Sequence, residues 1–156
     1  MNWAHVHLVM NHIPLFGTIL GFLLLLVAVS RRSEELKKVS LATFVLVGLI
    51  EVLTYLTGEP AEEVVEHLPG VSETFIEEHE ESALVSLILM EGLALVSLAA
   101  LFVSRKSNSV SQRWVLICLL FSWINVLAVG WTSHLGGQVR HTETRGEFTA
   151  TTPELP

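Results

Sequence analysis

The sequence predicts an all-α fold, a four-transmembrane-helix bundle with a short helical loop on the outer face between spans two and three. Hydrophobic residues make up 51% of the 156 residues and charged residues only 16%. Four apolar runs, at about 13–30, 39–56, 83–103 and 114–131, can each cross a hydrocarbon core of ~30 Å as a helix. Because the backbone amides of a span must bond within the segment, helices are expected.

The four runs predict one membrane domain over residues 1–141, followed by a polar C-terminal tail over residues 142–156. No Lys or Arg precedes Arg31, so the basic region of a signal peptide is missing and the first span is expected to stay in the protein. Cys118 is the single cysteine, which excludes an internal disulfide. There is also no Cys-x-x-Cys-His motif for covalent haem attachment.

Short signals predict the helices outside the spans. Pro60 favours a short helix that ends at Leu68-Pro69-Gly70. Thr74 and Glu77 match a capping box, which predicts a second helix that starts there and runs into span three. Gly136-Gly137 predicts that the fourth helix ends or bends sharply after its span.

The distribution of Lys and Arg predicts the orientation of the spans. Two positive residues, Arg140 and Arg145, follow span four. The other seven lie in the loops that join span one to span two and span three to span four: Arg31, Arg32, Lys37, Lys38, Arg105, Lys106 and Arg113. Because cytoplasmic loops carry the positive excess, we expect both termini outside. The short loops fit a bacterial inner membrane with this outer side in the periplasm.

The outer loop between spans two and three is strongly acidic. It holds nine glutamates and no Lys or Arg: Glu59, Glu62, Glu63, Glu66, Glu73, Glu77, Glu78, Glu80 and Glu81. This charge argues against nucleic acid as a partner, since nucleic acid needs a basic surface. It also argues against docking on anionic lipid from that side, although membrane lipid must surround the spans.

All seven histidines fall on the predicted outer side: His5, His7, His12, His67, His79, His134 and His141. Imidazoles grouped with carboxylates at one membrane face are typical of a metal or haem site. The candidate cofactor ligands are His7, His12, His79 and His141. Arg140 is a natural partner for an acidic group such as a haem propionate.

Carboxylates form two further sets of candidate residues, one for a metal site and one for a proton path. Glu59, at the end of span two, or Glu80, beside His79, could complete a metal site with His12, His79 and His141. Glu51 and Glu91 lie inside spans two and three, where ionisable groups are costly. We expect them to be protonated and paired, or to form a proton path from the outer site. A hydrogen bond between Glu91 and Asn125 is the structural alternative.

Gly17 and Gly21 form a G-x-x-x-G motif in span one. Small residues at this spacing let two helices approach closely. The motif is compatible with close packing between helices of one chain and with a contact between two copies of the chain. The sequence does not decide between them.

A family resemblance adds to these patterns. His7, His12, Ile13 and Pro14 resemble the His-Pro-x-x-x-His-Phe-Pro start of a widespread family of four-span bacterial membrane proteins of unknown function. Some members of that family are fused to Rieske iron–sulfur domains. The chain departs from the pattern at Leu8, where the family has proline, and at Ile13, where it has phenylalanine.

The resemblance covers nearly the whole chain. It extends to Thr57-Gly58 after span two, to His79 before span three, and to Gly136-Gly137 followed by His141. The Rieske fusion implies a redox setting near quinone level, and histidines in a four-helix bundle imply b-type haem. His7, His12, His79 and His141 would then supply enough axial ligands for two bis-histidine haems.

The leading functional hypothesis is therefore an integral membrane protein that binds haem b at a periplasmic His/Glu cluster. It would transfer electrons between the quinone pool, or a partner subunit, and a periplasmic acceptor. One alternative is a non-haem site for zinc, iron or copper, which would make the protein an enzyme or a metal handler. The other is a structural subunit of a larger membrane complex. Whether the protein is an enzyme stays open.

Overall fold

The computed structural model describes residues 2–146, so Met1 and residues 147–156 lie outside the description. The described chain folds as six α-helices and one short 3-10 helix: α1 (Trp3–Met10), α2 (His12–Ser30), α3 (Glu34–Leu56), α4 (Gly58–Val65), α5 (Glu73–Ser104), α6 (Gln112–Arg140) and the 3-10 helix Thr142–Thr144. It contains no strand within those residues. The predicted all-α fold is confirmed.

Four helical stretches are long and apolar enough to cross a membrane: Trp3–Ser30, Glu34–Val65, Glu73–Ser104 and Gln112–Arg140. The chain is therefore a multi-pass membrane protein. These stretches have 28 to 32 residues, which corresponds to roughly 42–48 Å of helix against a hydrocarbon core of ~30 Å. Each helical stretch consequently extends beyond the apolar layer.

The four long helices form a closed ring in which each packs on its neighbours. α2 packs on α3, α3 on α5, α5 on α6, and α6 returns to α2. Polar side chains join neighbouring helices: Ser40 Oγ donates to the Gly21 carbonyl oxygen at 2.7 Å, and the Thr132 hydroxyl contacts Ser82 Oγ at 2.7 Å and Ser86 Oγ at 2.8 Å. Such bonds stabilise helix association where lipid removes most of the hydrophobic driving force.

Three glycines set how closely the helices approach. A Cβ on Gly17 would lie 2.6 Å from Val47 Cγ2, and one on Gly21 would lie 2.5 Å from Phe44 Cε1. A Cβ on Gly48 would lie 2.7 Å from the Ala94 Cβ. The G-x-x-x-G motif therefore faces α3 of the same chain, which is the packing role that the sequence allowed.

The core of the bundle contains polar side chains such as Ser97 and Ser122 beside its apolar ones, so the inside of the ring is not more apolar than its outer surface. Large apolar side chains fill the centre of the bundle: Leu25, Leu41, Phe44, Met90, Leu93 and Val115. The outward faces are also apolar, and Phe102 is 69% exposed on α5. An apolar outer surface is stable only against lipid, so the lipid-facing surface agrees with the membrane assignment.

One end of the bundle, here called the histidine end, consists of α1, α4, the first turns of α5 and the last turns of α6. All seven histidines belong to it or to the residues beside it. α1 and α2 are separated only by Asn11, and Pro14 falls in the first turn of α2, where proline is tolerated. The first helical stretch thus begins ten residues before the predicted span.

Three predicted helix boundaries at this end were inexact or wrong. The outer-loop helix α4 begins at Gly58 rather than Pro60 and ends at Val65. α5 begins at Glu73 and not at Thr74, with Ser72 at its N-cap position. α6 continues through Gly136-Gly137 to Arg140 without the predicted break, and Gly136 packs against His79 of α5.

The opposite end holds the two short loops at residues 31–33 and 105–111. Glu34 joins these loops, because its carboxylate accepts a hydrogen bond from the Val110 amide at 2.7 Å and pairs with Lys37 Nζ at 2.6 Å. Ser33 caps α3 by accepting from the Leu36 amide at 3.3 Å. This end is therefore held by local contacts that do not involve the histidines.

The first residues of the predicted polar tail lie against the histidine end. Arg145 donates hydrogen bonds to the carbonyl oxygens of Gly70 at 2.9 Å and Val139 at 3.0 Å. Its guanidinium also lies 4.5 Å from the centroid of the Phe75 ring. Residues 142–146 are thus anchored, and the rest of the predicted tail lies outside the described residues.

Candidate cofactor site at the histidine end

A cavity of about 640 Å³ lies at the histidine end, between α1, α4, α5 and α6. Its wall is mixed: apolar side chains from all four helices surround two imidazoles, three carboxyl groups and one guanidinium. A volume of this size and such a lining are typical of small-molecule and cofactor sites. The polar members are His7, Asn11, Tyr55, Glu59, Glu62, His79, Glu80 and Arg140.

His7 enters the cavity from α1 and is anchored to the end of α3. Its Nδ1 lies 3.2 Å from the Thr54 carbonyl oxygen and 3.0 Å from Thr57 Oγ1. The Thr57 hydroxyl itself donates to the Thr54 carbonyl at 2.7 Å. Since both neighbours of Nδ1 can only accept in this arrangement, Nδ1 carries the proton of the neutral ring. Nε2 is then left with its lone pair.

His79 enters from the first turns of α5 and is anchored to α6. Its Nδ1 lies 3.1 Å from the Thr132 carbonyl oxygen, which again places the proton on Nδ1. A Cβ on Gly136 would lie 2.9 Å from His79 Cε1, so only glycine allows the ring to lie this close to α6. The side chain is half-buried, and its orientation is fixed by both α5 and α6.

The two anchored imidazoles lie together. Their ring centroids are 6.4 Å apart and their planes meet at 81°. Among residues 2–146, neither Nε2 atom has a hydrogen-bond partner. A histidine that donates Nδ1–H to a backbone carbonyl and keeps Nε2 free has the tautomer and orientation found in metal-ligating histidines.

The acidic members of the cavity wall come from α4 and α5. Glu59 and Glu62 are one turn apart on α4, and the Glu62 carboxyl lies close enough to the Glu80 carboxyl of α5 for the two groups to interact. Within residues 2–146, no group of three or more His, Cys, Asp or Glu side chains is arranged to hold a metal ion.

Arg140 and Asn11 also contribute polar groups to the wall. Arg140 lines the cavity and donates from Nη1 to the Pro69 carbonyl oxygen at 3.0 Å, which leaves its other N–H groups for an acidic ligand. Asn11 Oδ1 is buried without a partner in the described chain. A buried acceptor left unpaired costs free energy, so a bound group that donates to Asn11 would offset that cost.

The structure does not bring every predicted ligand to this cavity. His12 is exposed, and its Nδ1 lies 2.8 Å from the Leu8 carbonyl oxygen. Its ring stacks on the Phe16 ring, with the two centroids 6.5 Å apart. His141 is exposed beyond α6 and pairs with Glu143 at 2.9 Å. Hydrogen bonds from its own backbone amide and from the His141 ring hold the pKa of the Glu143 carboxyl below its ordinary value.

The three remaining histidines also lie outside the cavity. His67 is fully exposed beside Glu66, and His134 packs on Trp131 with ring centroids 5.6 Å apart. His5 is exposed on α1, where its backbone amide donates to Asn2 Oδ1 at 3.0 Å. The cluster expected from the sequence therefore reduces to one close pair of imidazoles.

The predicted proton-path residues lie below the cavity, inside the bundle. Glu51 of α3 is 8% exposed, and Glu91 of α5 reaches toward Gly48. Asn125 does not bond Glu91. Its Nδ2 donates to the Phe121 carbonyl at 2.9 Å and to the Leu89 carbonyl at 3.2 Å.

Sequence reasoning missed the groups that orient the two histidines. Thr54, Thr57 and Thr132 are ordinary span residues by composition, and their role depends on the register between helices. Glu62 was grouped with the solvated acidic loop, although its three-residue spacing from Glu59 places both on one helical face. That spacing was the available signal.

Comparison of the chain with protein-family models, curated proteins and solved structures finds no match.

Proposed function

We propose that this membrane protein binds haem b through His7 and His79 and takes part in electron transfer near the quinone pool. The observation that carries the proposal is the pair of imidazoles whose Nδ1 atoms are both held by backbone carbonyls, with centroids 6.4 Å apart. With metal–nitrogen bonds of about 2 Å, two imidazoles that both bind one metal would have centroids up to roughly 6 Å apart. The residues present therefore fit the group.

The chemistry of the pair favours electron transfer over substrate conversion. Haem held by His7 and His79 would supply a one-electron redox centre. The chain's own residues would hold it, since Thr54, Thr57 and Thr132 fix both rings by hydrogen bonds. Arg140 offers unused N–H groups for carboxylates at the cavity wall.

The apolar part of the wall would exclude water from the site. Leu8, Val65, Ile76 and Ala83 line it from three helices, and Ile76 is only 6% exposed. Burial and low polarity around a redox centre are among the properties that set its potential. One pair of facing histidines supports a single haem per chain, rather than the two haems that four ligands would allow.

The location of the site is part of the same proposal. Seven of the nine Lys and Arg residues lie toward the opposite end of the bundle, and the loop at the histidine end is acidic. From the positive-inside rule we infer that the cavity and both termini face outward, at the periplasmic side of a bacterial inner membrane.

A metal ion is the second candidate, and one observation favours it. Glu59, Glu62 and Glu80 line the same cavity as His7 and His79, which gives a mixed nitrogen and oxygen donor set suited to zinc or iron. This ligand set differs from the predicted His12, His79 and His141. It requires the carboxyl groups to move, because the described residues contain no converged group of three donors.

The proposal is tested by titrating the haem-free protein in detergent with hemin and following the Soret absorbance. We expect saturation at a single haem per chain, with a spectrum typical of two nitrogen ligands. Empty detergent micelles and the His67→Ala variant serve as controls, since the His67 side chain is 87% exposed and outside the cavity. Absorbance that rises without saturation, as in empty micelles, would count against the proposal.

A further inference from the structure

Two carboxyl groups lie inside the bundle without charged partners. Glu51 Oε2 and Glu91 Oε1 are both buried, and neither has a hydrogen-bond partner among residues 2–146. Glu51 is 92% buried, as its residue is only 8% exposed. An unpaired polar atom in such a place is costly, so these oxygens mark a position that another group must satisfy.

The two side chains occupy one stretch of the α3–α5 interface. Glu91 Oε1 lies 3.3 Å from the point where a Cβ on Gly48 would be, and Gly48 is one turn from Glu51 on α3. The missing side chain at Gly48 thus leaves room for the Glu91 carboxyl beside α3. The two carboxyl groups are close enough for their charges to interact.

No basic residue faces this pair from the surrounding helices. α2 has no charged residue after His12, and α6 has none between Arg113 and His134. The other titratable group in this part of α6, Cys118, contacts Ser97 of α5 instead. Two ionised carboxylates here would place two negative charges in an apolar layer with no compensation, which is strongly unfavourable.

We propose that Glu51 and Glu91 form an intramembrane proton-binding site that holds at least one exchangeable proton. Binding converts a carboxylate into a neutral carboxylic acid, which removes one negative charge from the apolar layer. The proton comes from water and no electron transfer is involved. The site therefore does not depend on which cofactor, if any, occupies the cavity.

The histidine end offers the route for exchange. Tyr55 lines the cavity and is one turn from Glu51 on α3. Thr54, also on α3, accepts from His7 of the cavity wall. The titratable groups of that wall on α1, α3 and α5 are His7, Tyr55, His79 and Glu80.

Infrared spectroscopy of the protein in lipid vesicles tests the proposal. At neutral pH we expect the wild-type protein to show a carboxylic-acid C=O band that shifts in D₂O. The part of this band that persists in Glu62→Gln should be lost in the Glu51→Gln, Glu91→Gln double variant. The exposed Glu78→Gln is the matched control, and Glu62→Gln separates the contribution of the outer carboxyl pair. The near-isosteric glutamine keeps the packing, and circular dichroism checks the fold.

Two outcomes would overturn the proposal. The first is a carboxylic-acid band of equal size in the wild type and the double variant, which would place the proton elsewhere. The second is a Glu51-dependent band that does not shift in D₂O, which would mean that the bound proton does not exchange with water. If the double variant fails to fold, the two single variants replace it, and at least one of them should show a smaller or shifted carboxylic-acid band than the wild type.

Discussion

His79→Ala is expected to remove bound haem from the purified protein, and His7→Ala is expected to do the same. Each substitution deletes one of the two imidazoles that lie 6.4 Å apart, and the cavity contains no other histidine to replace it. Loss of an axial ligand leaves the other imidazole as the only strong nitrogen donor. We expect the haem content, measured by absorbance per chain, to fall at least tenfold in both variants.

Two variants at histidines outside the cavity serve as controls for this experiment. His67→Ala removes an exposed ring beside Glu66, and His12→Ala removes one that stacks on Phe16. Both should keep the wild-type haem content. The His12 variant is the more informative control, because the sequence alone predicts His12 as a ligand. Haem lost from His12→Ala but retained in His7→Ala would mean that the wrong pair has been assigned.

Gly21→Ala is expected to destabilise the bundle by about 1–3 kcal/mol, as overpacking of a closely packed core does. A Cβ at this position would lie 2.5 Å from Phe44 Cε1, and Phe44 is completely buried. Neither the ring nor the α2 backbone can move without separating α2 from α3. Thermal unfolding in detergent, followed by circular dichroism, measures the loss of stability.

Gly130→Ala is the matched control for this prediction. A Cβ on Gly130 would have no atom within 4 Å, although the residue is also in the middle of a long helix. Alanine favours the helix over glycine by roughly 0.5–1 kcal/mol, so the stability should be unchanged or slightly raised. Equal destabilisation by both substitutions would contradict the assignment of Gly21 to the α2–α3 contact.

The fold could be predicted from the sequence because its main determinants are one-dimensional. Apolar runs long enough for the bilayer specify the four spans, and the backbone leaves helix as the conformation of each. Local signals were less reliable. Gly136-Gly137 has the composition of a helix end, yet α6 continues through both residues because tertiary packing outweighs intrinsic propensity.

The site could be predicted only in part, since it depends on which residues of different helices are at the same height. The sequence places His7 and His79 at one membrane face, but so it does for five other histidines. What distinguishes these two is contact with Thr54, Thr57 and Thr132, which lie about 50 residues away in each case. Such contacts follow from helix packing, which residue spacing within one helix does not reveal.

The most direct test of the central claim is an optical spectrum of the purified protein in detergent, dithionite-reduced minus air-oxidised, with metal analysis of the same sample. A haem site formed by His7 and His79 predicts a sharp α band, a shifted Soret band and iron equal to the haem content. A featureless difference spectrum, with zinc, iron or copper bound in stoichiometric amount, would contradict haem binding and favour the metal-ion site. A sample with neither haem nor metal would contradict both.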